Sequence, residues 1–162
     1  MKILGLDPGT AATGFGVVVF ESGRLVLERC GVWRPPAGEP LPGRLDFLGG
    51  ALERLIADAA PAAVSVETVF AAANIASALK LAHARGVLLA GAARAKLPVY
   101  EYEPRLVKKA LVGYGQAEKE QVRAMVLSLL ARQRSRIPLD AADALAVAIC
   151  HIHASPPARL RL

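Results

Sequence analysis

The chain has 162 residues, 54% of them hydrophobic, which predicts one domain with a sizeable core. No stretch approaches the roughly 20 apolar residues of a membrane span and no signal-peptide pattern opens the chain, so we expect a cytoplasmic protein without membrane contact. The net charge of +6 fits a polyanionic partner, although a basic surface without a partner explains it equally well.

The first half of the chain predicts a meander of three strands, then a helix and a fourth strand. Apolar or alternating residues predict the three strands at 2–7, 14–20 and 25–33. Leucines at helical spacing predict a helix from Pro42 to Ala59, and residues 62–67 predict the fourth strand.

The second half alternates helical and extended patterns. A long helix is predicted at 74–95, a fifth strand at 97–102, and three further helices at 103–111, 118–132 and 140–153. This order predicts an α/β fold with one mixed sheet of about five strands and helices on both faces. We expect a single domain over residues 1–154 and a short mobile tail over residues 155–162.

Four carboxylates at the ends of apolar segments are the most informative feature: Asp7, Glu67, Asp140 and Asp143. Asp7 ends the first strand and Glu67 the fourth, while Asp140 and Asp143 share one face of the last helix in its first turn. Each acid alone could be an ordinary turn, cap or strand-end residue. If the first and fourth strands are neighbours, the four acids converge, and their repulsion requires a hard cation such as Mg²⁺ or Mn²⁺.

Basic residues are concentrated between Arg105 and Arg136, where eight stand against two acids. We expect phosphate contacts from this region, although each charge alone could simply be solvated. The candidates are Arg105, Lys108, Lys109, Lys119 and Arg123. Phe70 follows Glu67 in a short Ala-rich loop, where an aromatic ring could stack on an unpaired base; core packing is the alternative.

Five short segments together resemble one known family. They are Leu6-Asp7-Pro8-Gly9-Thr10, Val66-Glu67-Thr68-Val69-Phe70, the run from Ser77 to Gly86, Ala117-Glu118-Lys119, and Asp140-Ala141-Ala142-Asp143-Ala144-Leu145-Ala146. In this order, and over nearly the whole chain to about His153, they are similar to the RuvC Holliday-junction resolvases.

The resemblance implies a ribonuclease H-like fold, a homodimer, and metal-dependent cutting of four-way DNA junctions at symmetric sites. It implies that Asp7, Glu67, Asp140 and Asp143 are the catalytic acids, although some relatives carry His in place of Asp140. It also implies that Phe70 contacts DNA and that Lys108 and Lys119 are functionally important.

From the same resemblance we expect phosphodiester hydrolysis with two Mg²⁺ ions, which Mn²⁺ could replace, and 5′-phosphate products. Lys119 could neutralise charge on the scissile phosphate. Symmetric cuts require two active sites, so we expect a two-fold dimer that packs through the long helix at 74–95. Association with the RuvA and RuvB branch-migration proteins is implied as well.

Three other functions remain open from the sequence. A related nuclease of the same fold could trim ribosomal RNA precursors. The segment Asp7-Pro8-Gly9-Thr10 also resembles the phosphate loop of actin-like ATPases, although the chain is short for their two lobes. A junction-binding protein without catalysis is the third.

Overall fold

The structure is a computed structural model that describes residues 1–68, 74–130 and 137–155. Its strands are β1 (Lys2–Asp7), β2 (Thr13–Glu21), β3 (Arg24–Trp33), β4 (Ala63–Glu67) and β5 (Val99–Tyr102). Its helices are α1 (Leu41–Ala59), α2 (Ile75–Arg94), α3 (Pro104–Val112), α4 (Lys119–Leu129) and α5 (Leu139–Ala154).

The strands form one sheet in the order β3-β2-β1-β4-β5. The opening meander pairs antiparallel, whereas β1 pairs parallel with β4, and β4 with β5. The five-stranded mixed sheet predicted from the sequence is confirmed, and the condition for convergence of the acids is met, since the first and fourth strands are neighbours. Because β1 and β4 run parallel, their carboxyl ends meet at one edge of the sheet.

Helices cover both faces of the sheet, as predicted. Leu4 and Leu6 of β1 pack on one face against α1 and α2, while Ile3 points to the other face and packs against α3, α4 and α5. This alternation follows from the two-residue period of a strand. The central strand β1 is therefore apolar on both sides until it ends at Asp7.

Helix α5 is the core helix of the domain, since its side chains from Ala144 to Ile152 are buried. Two strand glycines allow it to lie directly on the sheet. A Cβ atom on Gly5 would collide with the backbone oxygen of Ala144, and one on Gly14 would collide with that of Asp140. The first turn of α5 is thereby pressed against the carboxyl end of β1.

The structure shifts some predicted boundaries for local reasons. The fifth strand starts at Val99 instead of residue 97, because the Leu97 N–H bonds to the Ala92 carbonyl and completes the end of α2. Helix α4 starts after Glu118, where the side chains of Glu118 and Gln121 form a capping box. Helix α4 ends at Leu129 with Leu130 as its C-cap, and residues 131 and 132 of the predicted helix, like most of the tail 155–162, lie outside the described residues.

None of the helices in the described ranges is both long and apolar enough to cross a membrane.

Candidate active site

A cavity of about 230 Å³ opens where the carboxyl ends of β1 and β4 meet the first turn of α5. Three of the four predicted acids line it: Asp7, Glu67 and Asp143. Asp7 and Glu67 end paired parallel strands, in which Leu6 lies opposite Val66. The structure therefore brings together carboxylates from three distant segments of the chain.

The acids interact strongly enough to change their protonation. Burial, followed by the charges of Asp143 and Glu67, raises the pKa of Asp7 to about 7. Burial and the charge of Asp143 also raise the pKa of Glu67, against the opposing effect of Lys119 and Lys108. Carboxylates whose pKa is raised by burial and by neighbouring like charges mark this pocket as a candidate functional site.

Lys119 supplies a positive charge inside this pocket. Its Nζ donates a hydrogen bond to Asp143 Oδ2 at 2.9 Å, and this bond raises the pKa of Lys119. Lys119 is the first residue of α4, held there by the Glu118 cap, and its side chain remains 64% exposed. The amino group is thus placed at the pocket while still accessible to a ligand.

Asp140 lies at the rim of the cavity and does not line it. It is three residues before Asp143 on the same face of α5, and its charge contributes to the raised pKa of Asp7. Its Oδ2 lies 3.8 Å from Nη2 of Arg34, a residue that sequence analysis missed. Arg34 directly follows β3, so the antiparallel meander could have indicated its place at this sheet edge.

The predicted DNA-binding residues lie in different surroundings. Lys108 lines the cavity with Lys119, beside the acids. Arg105 and Lys109 lie on the exposed side of α3, outside the cavity. Arg123 is half-buried on α4, and its Nε finds no hydrogen-bond partner among the described residues. Phe70 lies outside the described residues, so its predicted contact stays a prediction.

No three acid, histidine or cysteine side chains within the described parts of the chain are arranged to hold one metal ion. Asp143 instead bonds to Lys119, and Asp140 faces Arg34. The available donors in the pocket are nevertheless carboxylate oxygens that repel one another. That donor chemistry fits hard divalent cations.

Comparison with known proteins gives a consistent result. The model of the family "Crossover junction endodeoxyribonuclease RuvC" matches residues 3–151. RuvC of Desulfitobacterium hafniense (strain Y51) is 46% identical over 153 residues, which cover 94% of this chain and 93% of the relative. RuvC of Solidesulfovibrio magneticus is 50% identical over 151 residues, covering 93% of this chain and 89% of the relative.

Solved structures agree with these matches. The Thermus thermophilus RuvC structure superposes with a TM-score of 0.86 and 35% identity, and covers 94% of each chain. The T. thermophilus RuvC in complex with Holliday junction substrate superposes with a TM-score of 0.86 and 32% identity. The expected ribonuclease H-like fold is confirmed by this agreement over 94% of the chain.

Proposed function

The chain belongs to the RuvC family of crossover junction endodeoxyribonucleases, and we propose that it resolves four-way (Holliday) DNA junctions by paired symmetric cuts in recombination and repair. One observation carries the proposal: Asp7, Glu67 and Asp143 share a pocket with Lys108 and Lys119. Carboxylates that would bind a metal ion thus lie beside lysines that would bind a phosphate. The similar T. thermophilus protein, solved with a Holliday junction substrate, supports the choice of substrate.

The pocket fits divalent metal as its cofactor, since its acidic donors are hard oxygen atoms, and neighbouring carboxylate charges raise the pKa of Asp7 and of Glu67. We propose that Asp7, Glu67 and Asp143 hold two Mg²⁺ ions, with Asp140 assisting from the rim, and that Mn²⁺ can substitute. When bound, such ions supply Lewis-acid stabilisation of the charge that develops in phosphodiester hydrolysis.

The protein's own side chains would orient the phosphate and neutralise it. Lys119 is already held at the pocket by Asp143, and its exposed amino group can reach a backbone phosphate from there. Lys108 lines the same cavity and would hold the strand on its α3 side. Cleavage of the bond to the 3′ oxygen would leave a 5′-phosphate and a 3′-hydroxyl, the ends a ligase can join.

Two coordinated cuts require two copies of this pocket, and the surface of α2 supports a homodimer. The first turns of α2 expose two large apolar side chains, Ile75 at 81% and Leu79 at 56%. Burial of such side chains against a second copy would remove apolar surface from water. Family membership also leads us to propose association with RuvA and RuvB, and action on DNA in the cytoplasm.

The test is incubation of the purified protein with a mobile four-way junction, with and without Mg²⁺, with both cut positions mapped. We expect paired symmetric nicks that depend on the metal. Asp7→Asn should abolish cutting and preserve junction binding. Asp46→Asn, an exposed acid on α1 away from the pocket, is the matched control and should cut normally. Cutting by Asp7→Asn at near wild-type rate would disprove the assignment of the acids.

The functions left open by the sequence gain no support from the comparisons, which match crossover junction nucleases over the full domain. Duplex and single-stranded RNA, offered beside the junction in the same assay, separate the RNA-trimming alternative directly.

A further inference from the structure

A second cavity, of about 450 Å³, lies beside the loop that follows β1. Thr10 and Ala11 of this loop form one wall, and Arg44 of α1 and Lys80 of α2 form the other. The loop begins immediately after Asp7, so it separates the second cavity from the carboxylate pocket. The carboxylate pocket is built on the α3–α5 face of the sheet, and the second cavity on the α1–α2 face.

The separating loop is fixed in place. Thr13 is completely buried, and its Oγ1 accepts a hydrogen bond from the Gly9 N–H at 3.2 Å and donates one to the Gly9 carbonyl at 2.7 Å. A Cβ atom on Gly9 would collide with the backbone oxygen of Ala12, so the turn is also tightly closed. A ligand held in the second cavity would therefore have a defined position relative to Asp7.

The second cavity is bordered by more positive than negative charge. Lys80 is exposed and makes no ion pair with any residue that the structure describes. Arg44 donates from Nε to the Glu39 carbonyl at 2.7 Å, which holds its guanidinium at the cavity. The one acid in the lining is Glu39, whose carboxylate packs over Gly43.

Arg34 is a further cation beside the acids. It follows β3 at the same edge of the sheet, its side chain is 61% exposed, and its Nη2 lies 3.8 Å from Asp140 Oδ2. That distance is too long for a hydrogen bond, so this ion pair leaves the Nη2 donors available to another acceptor.

We propose that Arg34, Arg44 and Lys80 form a second phosphate-binding surface. This surface would hold the DNA backbone on the side of the carboxylate pocket opposite Lys108 and Lys119. The inference rests on the proposed function, since it concerns the same substrate. A strand cut at the pocket continues in both directions and carries a phosphate at each nucleotide. Contacts on both sides would fix the register of the strand over the acids, without reading its sequence.

The experiment measures the affinity for a four-way junction in EDTA over a series of salt concentrations. Each phosphate contact to duplex DNA contributes about 0.9 to the slope of log K against log[salt], or about a 3.5-fold fall in affinity for a fourfold rise in salt. Lys80→Ala and Arg34→Ala should each reduce the slope by about one, and the double variant by about two. Lys80→Arg should retain the slope, because the charge is conserved.

Arg24→Ala is the matched control. Arg24 is an exposed cation in the β2–β3 hairpin, at the opposite end of the sheet from Asp7, and its removal should leave the slope unchanged. Wild-type slopes in Lys80→Ala and Arg34→Ala would overturn the inference, as would weaker binding with an unchanged slope. In either case junction cutting by the wild type would leave the proposed function standing; a wild type that binds no junction would overturn both.

Discussion

Replacing Asp7 by Asn should stabilise the metal-free protein while it removes cutting. Asp7 is largely buried and faces the like charges of Glu67 and Asp143, so its pKa rises from 3.8 to about 7. The ionised side chain is therefore less favourable in the folded protein than in the unfolded chain. Asn has nearly the same shape without the charge, so it relieves the repulsion and leaves no cavity.

The size of the effect follows from the pKa shift. A rise from 3.8 to about 7 corresponds to an upper limit of about 4 kcal/mol at 1.36 kcal/mol per unit. Water at the mouth of the pocket screens these charges, so we take about half, or roughly 2 kcal/mol. For a domain of this length, that change raises Tm by about 4–8 °C.

The pH dependence has a defined sign. Between 3.8 and about 7 the folded protein binds more protons at Asp7 than the unfolded chain does. The stability of the metal-free wild type therefore falls as the pH rises through this window, and stays low above it. Asp7→Asn lacks this group, so its stability advantage should grow with pH over the same window.

Thermal unfolding in EDTA and in Mg²⁺, across this pH range, tests the reasoning. We expect the advantage of Asp7→Asn to be largest in EDTA above about pH 7, and to shrink in Mg²⁺, which binds the intact acid pocket and stabilises the wild type. Asp46→Asn should change the Tm neither in EDTA nor in Mg²⁺. An Asn variant no more stable than wild type in EDTA, or an advantage independent of pH, would refute the account of the pocket as a repelling cluster.

Three further outcomes follow from single contacts. Lys119→Met, which removes the donor to Asp143, should slow single-turnover cutting by about 10²–10³; a rate near wild type would exclude Lys119 from the reaction. Burial lowers the pKa of His151, whose Nδ1 lies 2.7 Å from the Tyr102 hydroxyl, so wild-type stability should fall as the pH drops below the ordinary histidine value of 6.5. Urea unfolding of His151→Gln should show a smaller fall in stability over this pH range. An equal fall in the variant and the wild type would contradict the role of His151 in this pH dependence. Gly14→Ala should displace the first turn of α5, cost about 1–3 kcal/mol and slow cutting. In Gly49→Ala the added Cβ meets its nearest atom at 3.4 Å, an ordinary contact, so this control should be near neutral in urea unfolding.

Most of the fold could be predicted because its signals are local. Alternating residues predict the meander, the spacing of leucines predicts α1, and the change of pattern after Pro61 predicts β4. The sheet order added the fact that matters most for the site, since parallel pairing of β1 with β4 places Asp7 beside Glu67. The sequence suggested this pairing only as a condition.

The side-chain contacts of the site could not be predicted, because they depend on how the layers pack. The bond between Lys119 and Asp143 requires the starts of α4 and α5 to face each other, and neither helix pattern specifies that. The proximity of Arg34 to Asp140 depends on two glycine contacts that let α5 lie on the sheet. Lys80 and Arg44 give no such signal in the sequence, because they stand apart from the dense cations of residues 105–136.

The acidic and the basic residues at this edge of the sheet have complementary roles. Acids alone in a half-buried pocket would lower stability and repel a phosphate backbone. They therefore require a bound cation, and they require positively charged residues around the pocket. Positively charged residues are present on the α3–α4 side, where they are Lys108 and Lys119, and on the α1–α2 side, where they are Lys80 and Arg44. We expect a strand attracted from both sides to be held between them, over the acids where we propose that the reaction occurs. Removal of the cations on one side should therefore misplace the strand as well as weaken its binding.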